Sequence, residues 1–465
     1  MNKTIRTGGR WFAEPSYYKK VIFLVLPMIL QAAVTNFVSL ADNIMVGQIG
    51  TVQMSGVSIV NQYIFIFNLT VFGAVSGPGI FGTQFFGKRD AEGQQYTVRF
   101  RVISAVLIIL AGMALFQIYK EPLIRLFLSA DDAPELVEET LFYGVEYLNI
   151  VVFSIIPFAI GQVYASAVRE CGRTQIPMMA SFLAVGVNLV LDYLLIFGVF
   201  GMPKMGVAGA ALATVIAKCI EAAVIIIWAH THPKENPYIP GLYRSLRIPR
   251  DLFRRILIKS LPLLINEFLW SLGVAVIAQC YSSRGLEVVA ARNIAGTINN
   301  MFNVVYIQMG GAIGILIGQL LGAGKHEEAK KRAAHLTVFS LILAGIVMLI
   351  LIPLAFVFPS VYNTEASVRS LATGFILIQA AATPLWSYTN ASYFILRSGG
   401  KTGITFLFDF GFTWFLQIPL AFCLSRFTAM PIFPLFAIVT WAEAVKIIIG
   451  WLMVRSGIWI NTIVE

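Results

Sequence analysis

Charged residues are scarce in this sequence. Asp, Glu, Lys and Arg make up 12% of the 465 residues, whereas a soluble domain carries about 25%. Hydrophobic residues reach 58%, and the mean hydropathy is +0.78. A chain with so little charge lacks the polar surface of a soluble enzyme or a soluble binding module, so the composition predicts a protein of the lipid bilayer.

Cysteine and histidine are scarce as well, with four of each. No two cysteines form a Cys-x-x-Cys pair, and we expect no disulfides. His230 and His232 have no Cys or carboxylate partner at metal-ligand spacing, so we predict no metal centre. No nucleophile motif or soluble domain is present either. We therefore expect a protein that is not an enzyme and that uses no cofactor.

Long hydrophobic runs are abundant. A helix needs about 20 apolar residues to cross roughly 30 Å of hydrocarbon. We therefore predict an all-α polytopic membrane protein with twelve transmembrane helices. The first run is too long for a signal peptide and lacks a cleavage site, so we expect it to be retained. The predicted spans lie near residues 21–47, 57–85, 102–119, 141–168, 177–199, 207–228, 256–281, 293–318, 336–358, 371–396, 404–424 and 433–454.

Lys and Arg are distributed unevenly between the two sides of these spans. Seven lie in loops on one side and two, Lys218 and Lys446, lie inside spans, while the other 25 of the 34 lie on the side of the termini. Basic residues stay in cytoplasmic loops, so both termini of this multi-pass protein are predicted to lie on the cytoplasmic side of the cell membrane. The net charge of +10 could indicate nucleic-acid binding. Its basic residues are scattered over several segments, however, and no nucleic-acid partner is expected.

Parts of the first half of the chain return in the second half. The proline and the Gln-x-x-Gly motif return at an offset of 235 residues, and the Arg-x-x-Gly-basic-Thr motif at 228. An entire half has therefore been duplicated with only small insertions. The repeated elements are Pro27 and Pro262, the Gln-x-x-Gly motif at 84–87 and 319–322, and the Arg-x-x-Gly-basic-Thr motif at 169–174 and 397–402.

The duplication predicts two six-helix lobes. They comprise residues 1–228 and 256–465, and a polar, proline-rich cytoplasmic linker, 229–255, joins them. Six spans per half give both halves the same orientation, so the predicted pseudo-two-fold axis lies along the membrane normal. Carriers are commonly built from such repeats. We expect the substrate to bind between the lobes.

Four polar residues in the first half are predicted to meet at similar depth. An ionisable group in hydrocarbon costs at least about 2.5 to 3.5 kcal/mol, so each one is a functional candidate. Asp42, Asp192 and Thr214 lie five to seven residues from the outer ends of their spans, and Asn188 shares a helical face with Asp192. Their oxygen atoms suit a monovalent cation such as Na⁺. Two close carboxylates cannot both stay ionised in a low dielectric, so H⁺ suits the cluster equally. Alternatively, Asn188 and Asp192 only link neighbouring helices by hydrogen bonds.

Other ionisable residues lie in spans of the second half. Glu267 lies near the middle of its span and is predicted to face the cavity between the two lobes. There it could attract a cationic substrate or relay a proton. Its alternative role is a hydrogen bond to a neighbouring helix, to which Asn266 could also contribute. Asp409 lies five residues from a cytoplasmic helix end and is expected to be solvated at the rim.

Two i, i+3 pairs of opposite charge lie 225 residues apart, namely Lys218/Glu221 and Glu443/Lys446. Each pair can neutralise itself within one helix. We expect structural pairing rather than participation in ion coupling.

Pro27 lies fifteen residues before Asp42. It lacks an amide hydrogen and should kink the first span. Our hypothesis is that bending at this hinge follows protonation or ion loss at Asp42. The return of proline at Pro262 indicates first a shared scaffold.

The segment Ser39 to Gly47 (SLADNIMVG), with Pro27 upstream, resembles the first helix of the MATE (multidrug and toxic compound extrusion) transporters. The repeated motifs match as well, so the resemblance covers nearly the whole chain. It implies a cation site at Asp42, Asn188, Asp192 and Thr214, and a bend of the first helix at Pro27. Glu267 resembles an acid that some members carry in the seventh helix. The acid that some members carry in the tenth helix has no counterpart in residues 384–390.

The resemblance implies a secondary active multidrug efflux antiporter. Such a protein exports organic, often cationic, compounds in exchange for Na⁺ or H⁺ by alternating access. Its partners would be small amphipathic molecules and membrane lipids, with no obligatory protein partner. The alternative is a lipid-linked-precursor flippase of the same superfamily, but that class would need a strongly cationic cavity. A channel or a receptor is a further alternative, although a channel would show no counter-ion stoichiometry and a receptor would not need a duplicated half.

Overall fold

The structure is a computed structural model that describes residues 12–128 and 133–464, without the side chains of Leu40 and Asn43. The first eleven residues and residue 465, which belong to the predicted cytoplasmic termini, lie outside the described residues. Within the described residues there is no strand, and twelve helices are long and apolar enough to cross a membrane. The predicted all-α fold with twelve spans is thus confirmed. The helices are α1 (Pro15–Gly47), α2 (Thr51–Lys88), α3 (Ala91–Ile118), α4 (Pro134–Glu170), α5 (Gln175–Phe197), α6 (Val207–Thr231), α7 (Arg250–Ser282), α8 (Leu286–Gly322), α9 (His326–Val361), α10 (Ala366–Ser398), α11 (Thr402–Phe427) and α12 (Ile432–Ser456).

Most helices extend beyond the apolar runs that predicted them. Helix α3 begins at Ala91 and α9 at His326, about ten residues before their predicted spans near 102 and 336. Backbone hydrogen bonding continues through polar turns outside the hydrocarbon, whereas hydropathy detects only the apolar part of a helix.

Within the described residues, three helices contain irregular backbone away from their ends. Helix α4 includes a 3₁₀ turn at Val152–Ser154. Helix α11 includes π-helical turns at Leu407–Gly411 and Thr413–Gln417. Helix α12 is interrupted at Ala442, between a first part that ends at Trp441 and a second part that begins at Glu443.

Contacts group the chain into two compact units. The N-unit consists of Leu30–Gly82 and Ala91–Leu257. The C-unit consists of Ile258–Glu465 together with two earlier segments, Met1–Ile29 and Thr83–Asp90. The start of α1 and the end of α2 therefore group with the second half of the chain, and the borders fall inside α1, α2 and α7.

The N-unit has an aliphatic core that includes Val60, Val71 and Ile196, all of which are fully buried. The core also takes in Tyr238 and Leu242 of the segment between α6 and α7. Arg99 on α3 fastens this segment, because its Nε donates to the Leu242 carbonyl at 2.9 Å and its Nη2 to the Gly241 carbonyl at 3.0 Å. The predicted linker is therefore a folded part of the N-unit.

The two copies of the Gln-x-x-Gly motif pack against each other in the C-unit. A Cβ added at Gly87 would overlap the backbone carbonyl of Gln319, and a Cβ added at Gly322 would overlap that of Gln84. Only glycine permits helices to approach so closely. The Gln84 side chain also donates to the Ser398 carbonyl at 2.9 Å, and so ties the end of α2 to α10.

Candidate cation site

The structure brings three of the four predicted cation-site residues to one level of the N-unit. Asp42 lies five residues before the end of α1 at Gly47, and Asp192 lies five residues before the end of α5 at Phe197. Thr214 lies seven residues after the start of α6. A rise of 1.5 Å per residue places all three about 7 to 11 Å from their helix ends.

The carboxyl groups of Asp42 and Asp192 lie within hydrogen-bonding reach of each other. Asp192 is 1% exposed, and neither of its carboxyl oxygens accepts a hydrogen bond from a donor among the described residues. The Oδ1 atom of Asp42 is also buried and accepts no hydrogen bond from the described residues. Two carboxylates have no hydrogen to share. The pair is therefore compatible with a proton held between the two groups or with a cation that both oxygens bind.

Asn188 is buried one helical turn before Asp192, with an exposed fraction of 5%. Its Nδ2 atom has no hydrogen-bond acceptor among the described residues. The amide nitrogen of Asn188 thus forms no hydrogen bond that would support its alternative role as a link between helices. The Thr214 hydroxyl donates to the Ala210 carbonyl at 3.0 Å, which leaves its oxygen available as an acceptor.

Two further residues, which the sequence did not indicate, belong to this site. The Tyr147 hydroxyl on α4 donates to Asn61 Oδ1 on α2 at 3.1 Å, and Thr214 lies within hydrogen-bonding reach of the same hydroxyl. Tyr147 is buried close to both acids. Helices α1, α2, α4, α5 and α6 thus each contribute a polar side chain. Such a set of oxygen donors suits a hard monovalent cation or a proton.

Pro27 is buried in the C-unit part of α1, which is helical from Pro15 to Gly47. The border between the two units follows Ile29, two residues after Pro27. The missing amide hydrogen of proline thus weakens α1 where its contacts change from one unit to the other. The proposed hinge role remains a prediction.

Glu267 and Asp409 both lie in the C-unit. Glu267 on α7 is half-buried, with Arg397 and Asp409 as its charged neighbours. The hydrogen bond from this part of α7 to a neighbouring helix is made by Asn266, whose Nδ2 donates to Asp409 Oδ2 at 3.0 Å. The expectation that Asp409 is solvated at the rim was wrong. Its carboxylate also forms an ion pair of 2.7 Å with Lys446, because α12 lies across from it.

Both predicted charge pairs form. Lys218 Nζ lies 2.9 Å from Glu221 Oε2, and Lys446 Nζ lies 3.1 Å from Glu443 Oε1. The lysine of the second pair has Asp409 as an additional partner, which the spacing in the sequence could not reveal.

Comparison with known proteins identifies the family of this chain. The MatE family model matches residues 27–194 and 262–423. The chain belongs to the MATE family of transporters. The two matched stretches lie in different halves of this MATE chain, as expected for a duplicated half.

Three known proteins illustrate the similarity of this MATE transporter to others. It is 25% identical over 428 residues to the probable multidrug resistance protein NorM of Thermotoga maritima, which covers 89% of this chain and 87% of the relative. Its fold matches that of a crystal structure of MATE in the bent conformation, with a TM-score of 0.83 at 18% identity over 95% of this chain and 96% of the other. A MOP superfamily transporter from Pyrococcus furiosus Vc1 matches with a TM-score of 0.81 at 19% identity over 98% of both chains.

Proposed function

We propose that this MATE transporter is an antiporter that exports organic, often cationic, amphipathic compounds in exchange for Na⁺ or H⁺. The observation that carries the proposal is the pair formed by Asp42 and Asp192, in which three of the four carboxyl oxygens are buried and accept no hydrogen bond from the described residues. The described side chains around the pair supply hydroxyl and amide oxygens. The charge of Lys218 also acts on Asp42, but its ammonium group is ion-paired with Glu221, so the acid pair has no cation at bonding distance among the described residues. The name of the Thermotoga maritima relative, a probable multidrug resistance protein, supports the substrate class.

The coupling follows from the charge of this site. With a cation or proton bound, the two acids lose much of their mutual repulsion and their need for water. After its release, the excess negative charge favours a conformation in which water reaches the site. One charge that enters down 100 mV supplies about 2.3 kcal/mol, before any concentration gradient. Alternation between these two states would expose the substrate first to one side of the membrane and then to the other.

The proposal includes the orientation in the cell membrane. The excess of Lys and Arg in one set of loops supports cytoplasmic termini. With that orientation, the site near the ends of α1 and α5 is close to the outer side, where Na⁺ or H⁺ would enter. Glu267 is the proposed site for a cationic substrate or for a second proton.

Transport by purified protein in lipid vesicles tests this function. A fluorescent organic cation is loaded, and a Na⁺ gradient and a pH gradient are imposed separately. We expect one of the two gradients to drive the cation against its own gradient, and the other to have little effect. Protein-free vesicles and vesicles without either gradient are the controls.

Movement that responds to neither gradient would contradict the antiporter. A flippase would instead translocate a labelled pyrophosphate lipid without moving the organic cation. The acids of the N-unit site are unfavourable for such an anionic substrate.

A further inference from the structure

The C-unit contains a buried ammonium group between two carboxylates. Lys446 Nζ lies 2.7 Å from Asp409 Oδ1 and 3.1 Å from Glu443 Oε1. The side chains are 8% exposed for Lys446, 11% for Glu443 and 19% for Asp409. Charges so far from water need partners at bonding distance. The two acids supply these partners. Together, the two carboxylates and the one ammonium group have an excess of negative charge.

Two aromatic rings complete the surroundings of this ammonium group. Lys446 Nζ lies 5.1 Å from the centre of the Phe408 ring and 5.4 Å from that of Phe412. Both distances are within the roughly 6 Å range of cation–π attraction. Proteins bind free organic ammonium ions with similar sets of ring faces. The environment of Lys446 therefore has the chemistry of a cation-binding site.

Polar side chains from two further helices hold the carboxylates in place. Asn266 Nδ2 on α7 donates to Asp409 Oδ2 at 3.0 Å, and the Thr389 hydroxyl on α10 donates to Glu443 Oε1 at 3.2 Å. Asn266 is 3% exposed, and its Oδ1 atom has no hydrogen-bond donor among the described residues. This amide oxygen is a further potential ligand beside Asp409 that the lysine does not use.

The backbone is irregular at both acids. Asp409 lies in the π-helical turn Leu407–Gly411 of α11, and Glu443 directly follows the interruption of α12 at Ala442. Short π-helical insertions are rare and occur frequently at functional sites. The cluster thus combines irregular helices with buried charge.

The corresponding pair in the N-unit lacks these features. Among the described residues Lys218 has a single carboxylate at bonding distance, that of Glu221 at 2.9 Å, and its side chain is 31% exposed. The ring of Phe158 lies 5.7 Å away. One acid and partial exposure need no specialised site, so Lys218 provides a matched control.

We propose that the ammonium cage, formed by Asp409, Glu443, Phe408, Phe412, Asn266 and Thr389, is a binding site for a primary ammonium ion that the chain fills with its own Lys446. The C-unit then carries a permanent internal cation and takes none from solution. When Lys446 is shortened, a free alkylammonium ion occupies the same cage. This inference does not depend on the proposed function, because binding in the cage can be measured without transport.

Thermal unfolding of purified full-length Lys446→Ala tests the proposal. The substitution removes three carbons and the ammonium group, which propylammonium matches in length. We expect the melting temperature to fall by about 5 °C or more. Propylammonium should restore most of this loss in a saturable manner, as a ligand of the folded state does. It should not shift the wild-type protein, whose cage is filled, and propanol should restore nothing because it is neutral.

Two further variants complete the experiment. Lys218→Ala should lose less stability and should not respond to propylammonium. The double variant Asp409→Asn/Lys446→Ala removes a carboxylate together with its cation, so it should be more stable than Lys446→Ala and should respond less to propylammonium. If Lys446→Ala is recovered too poorly for thermal unfolding, the single and the double variant can be compared by the yield of folded protein in membranes.

Three results would overturn the proposal. The first is an equal effect of propylammonium on the wild type and on Lys446→Ala. The second is equal recovery with propanol. The third is a double variant no more stable than the single one, which would mean that the acids do not need the ammonium group.

Discussion

The N-unit and the C-unit both place a pair of acids in membrane-spanning helices, but among the described residues only the C-unit pair has a cation at bonding distance. Asp409 and Glu443 share the ammonium group of Lys446 at 2.7 and 3.1 Å. Asp42 and Asp192 face each other, and Asp192 has no hydrogen-bond donor among the described residues. An acid pair without a cation at bonding distance can take its neutralising charge from solution. We therefore expect the state of the N-unit pair to depend on ion concentration, and that of the C-unit pair to be independent of it.

This difference is the physical basis for our proposal that the N-unit couples transport to an ion. A site can convert an ion gradient into work only if its occupancy differs between states of the protein. The Lys446 ammonium cannot leave, so the C-unit acids suit a fixed structural role. Five substitutions, tested in four experiments, would break or sharpen this comparison.

The largest effect is expected from neutralising the N-unit acids. Asp42→Asn and Asp192→Asn should each reduce gradient-driven export in vesicles to the protein-free background, because the remaining carboxylate no longer forms an acid pair. Asp409→Asn is the matched control with the same chemical change. It should retain gradient dependence, since Lys446 keeps Glu443 as its partner. Loss of gradient dependence in well-folded Asp409→Asn would show that both units couple to the ion.

A lysine introduced beside the N-unit acids should give them a built-in counter-ion, as Lys446 does for the C-unit acids. Asn188→Lys places an ammonium group one helical turn from Asp192. We expect a folded protein whose export no longer responds to Na⁺ or pH gradients, measured in the same vesicles. Asn188→Met has similar length without charge and should keep part of the response. If Asn188→Lys responded to the gradients as the wild type does, the cation would not bind at Asp192.

A smaller effect is expected from Pro27→Ala. Alanine restores a backbone hydrogen bond in α1 and favours a straight helix. We expect export to slow by about tenfold while thermal stability is kept or increased. Pro353→Ala is the control, because Pro353 lies inside α9 and within the C-unit alone. Unchanged transport by Pro27→Ala would remove the hinge from the mechanism.

The smallest effect is expected from Glu267→Gln. Removing this charge should raise the KM for a cationic substrate by about fivefold, because one favourable charge interaction is lost. The ion-gradient dependence should remain, since the N-unit acids are unchanged. A neutral substrate measured in parallel should keep its KM. A similar change for both substrates would assign Glu267 a structural role instead.

The sequence indicated most of the candidate N-unit site because ionisable and amide groups are conspicuous in apolar runs. Asp42, Asn188 and Asp192 were found in this way. Tyr147 and Asn61 were not, because an aromatic residue and a single amide are ordinary in a membrane helix. Their importance comes from a hydrogen bond of 3.1 Å between α4 and α2, which no local pattern records.

The grouping of helices into units was also beyond the sequence. The repeat predicted two halves that are continuous in the chain, whereas the contacts place residues 83–90 in the C-unit. Reciprocal packing of Gly87 and Gly322 against the facing glutamine carbonyls accounts for part of this grouping. The motif was visible in the sequence, but not the partner of each copy.

The sequence by itself determined the twelve helices and the acids that they carry, because transfer from water to hydrocarbon is a property of each short segment. Only the tertiary structure decided which of these acids have a basic side chain of the same protein as their counter-ion. Asp409 meets Lys446 across 37 positions and Asn266 across 143 positions of the chain. Electrostatic energy depends on distance in space, and in a low dielectric a separation of a few ångströms decides whether an acid has its counter-ion built in or must take one from solution.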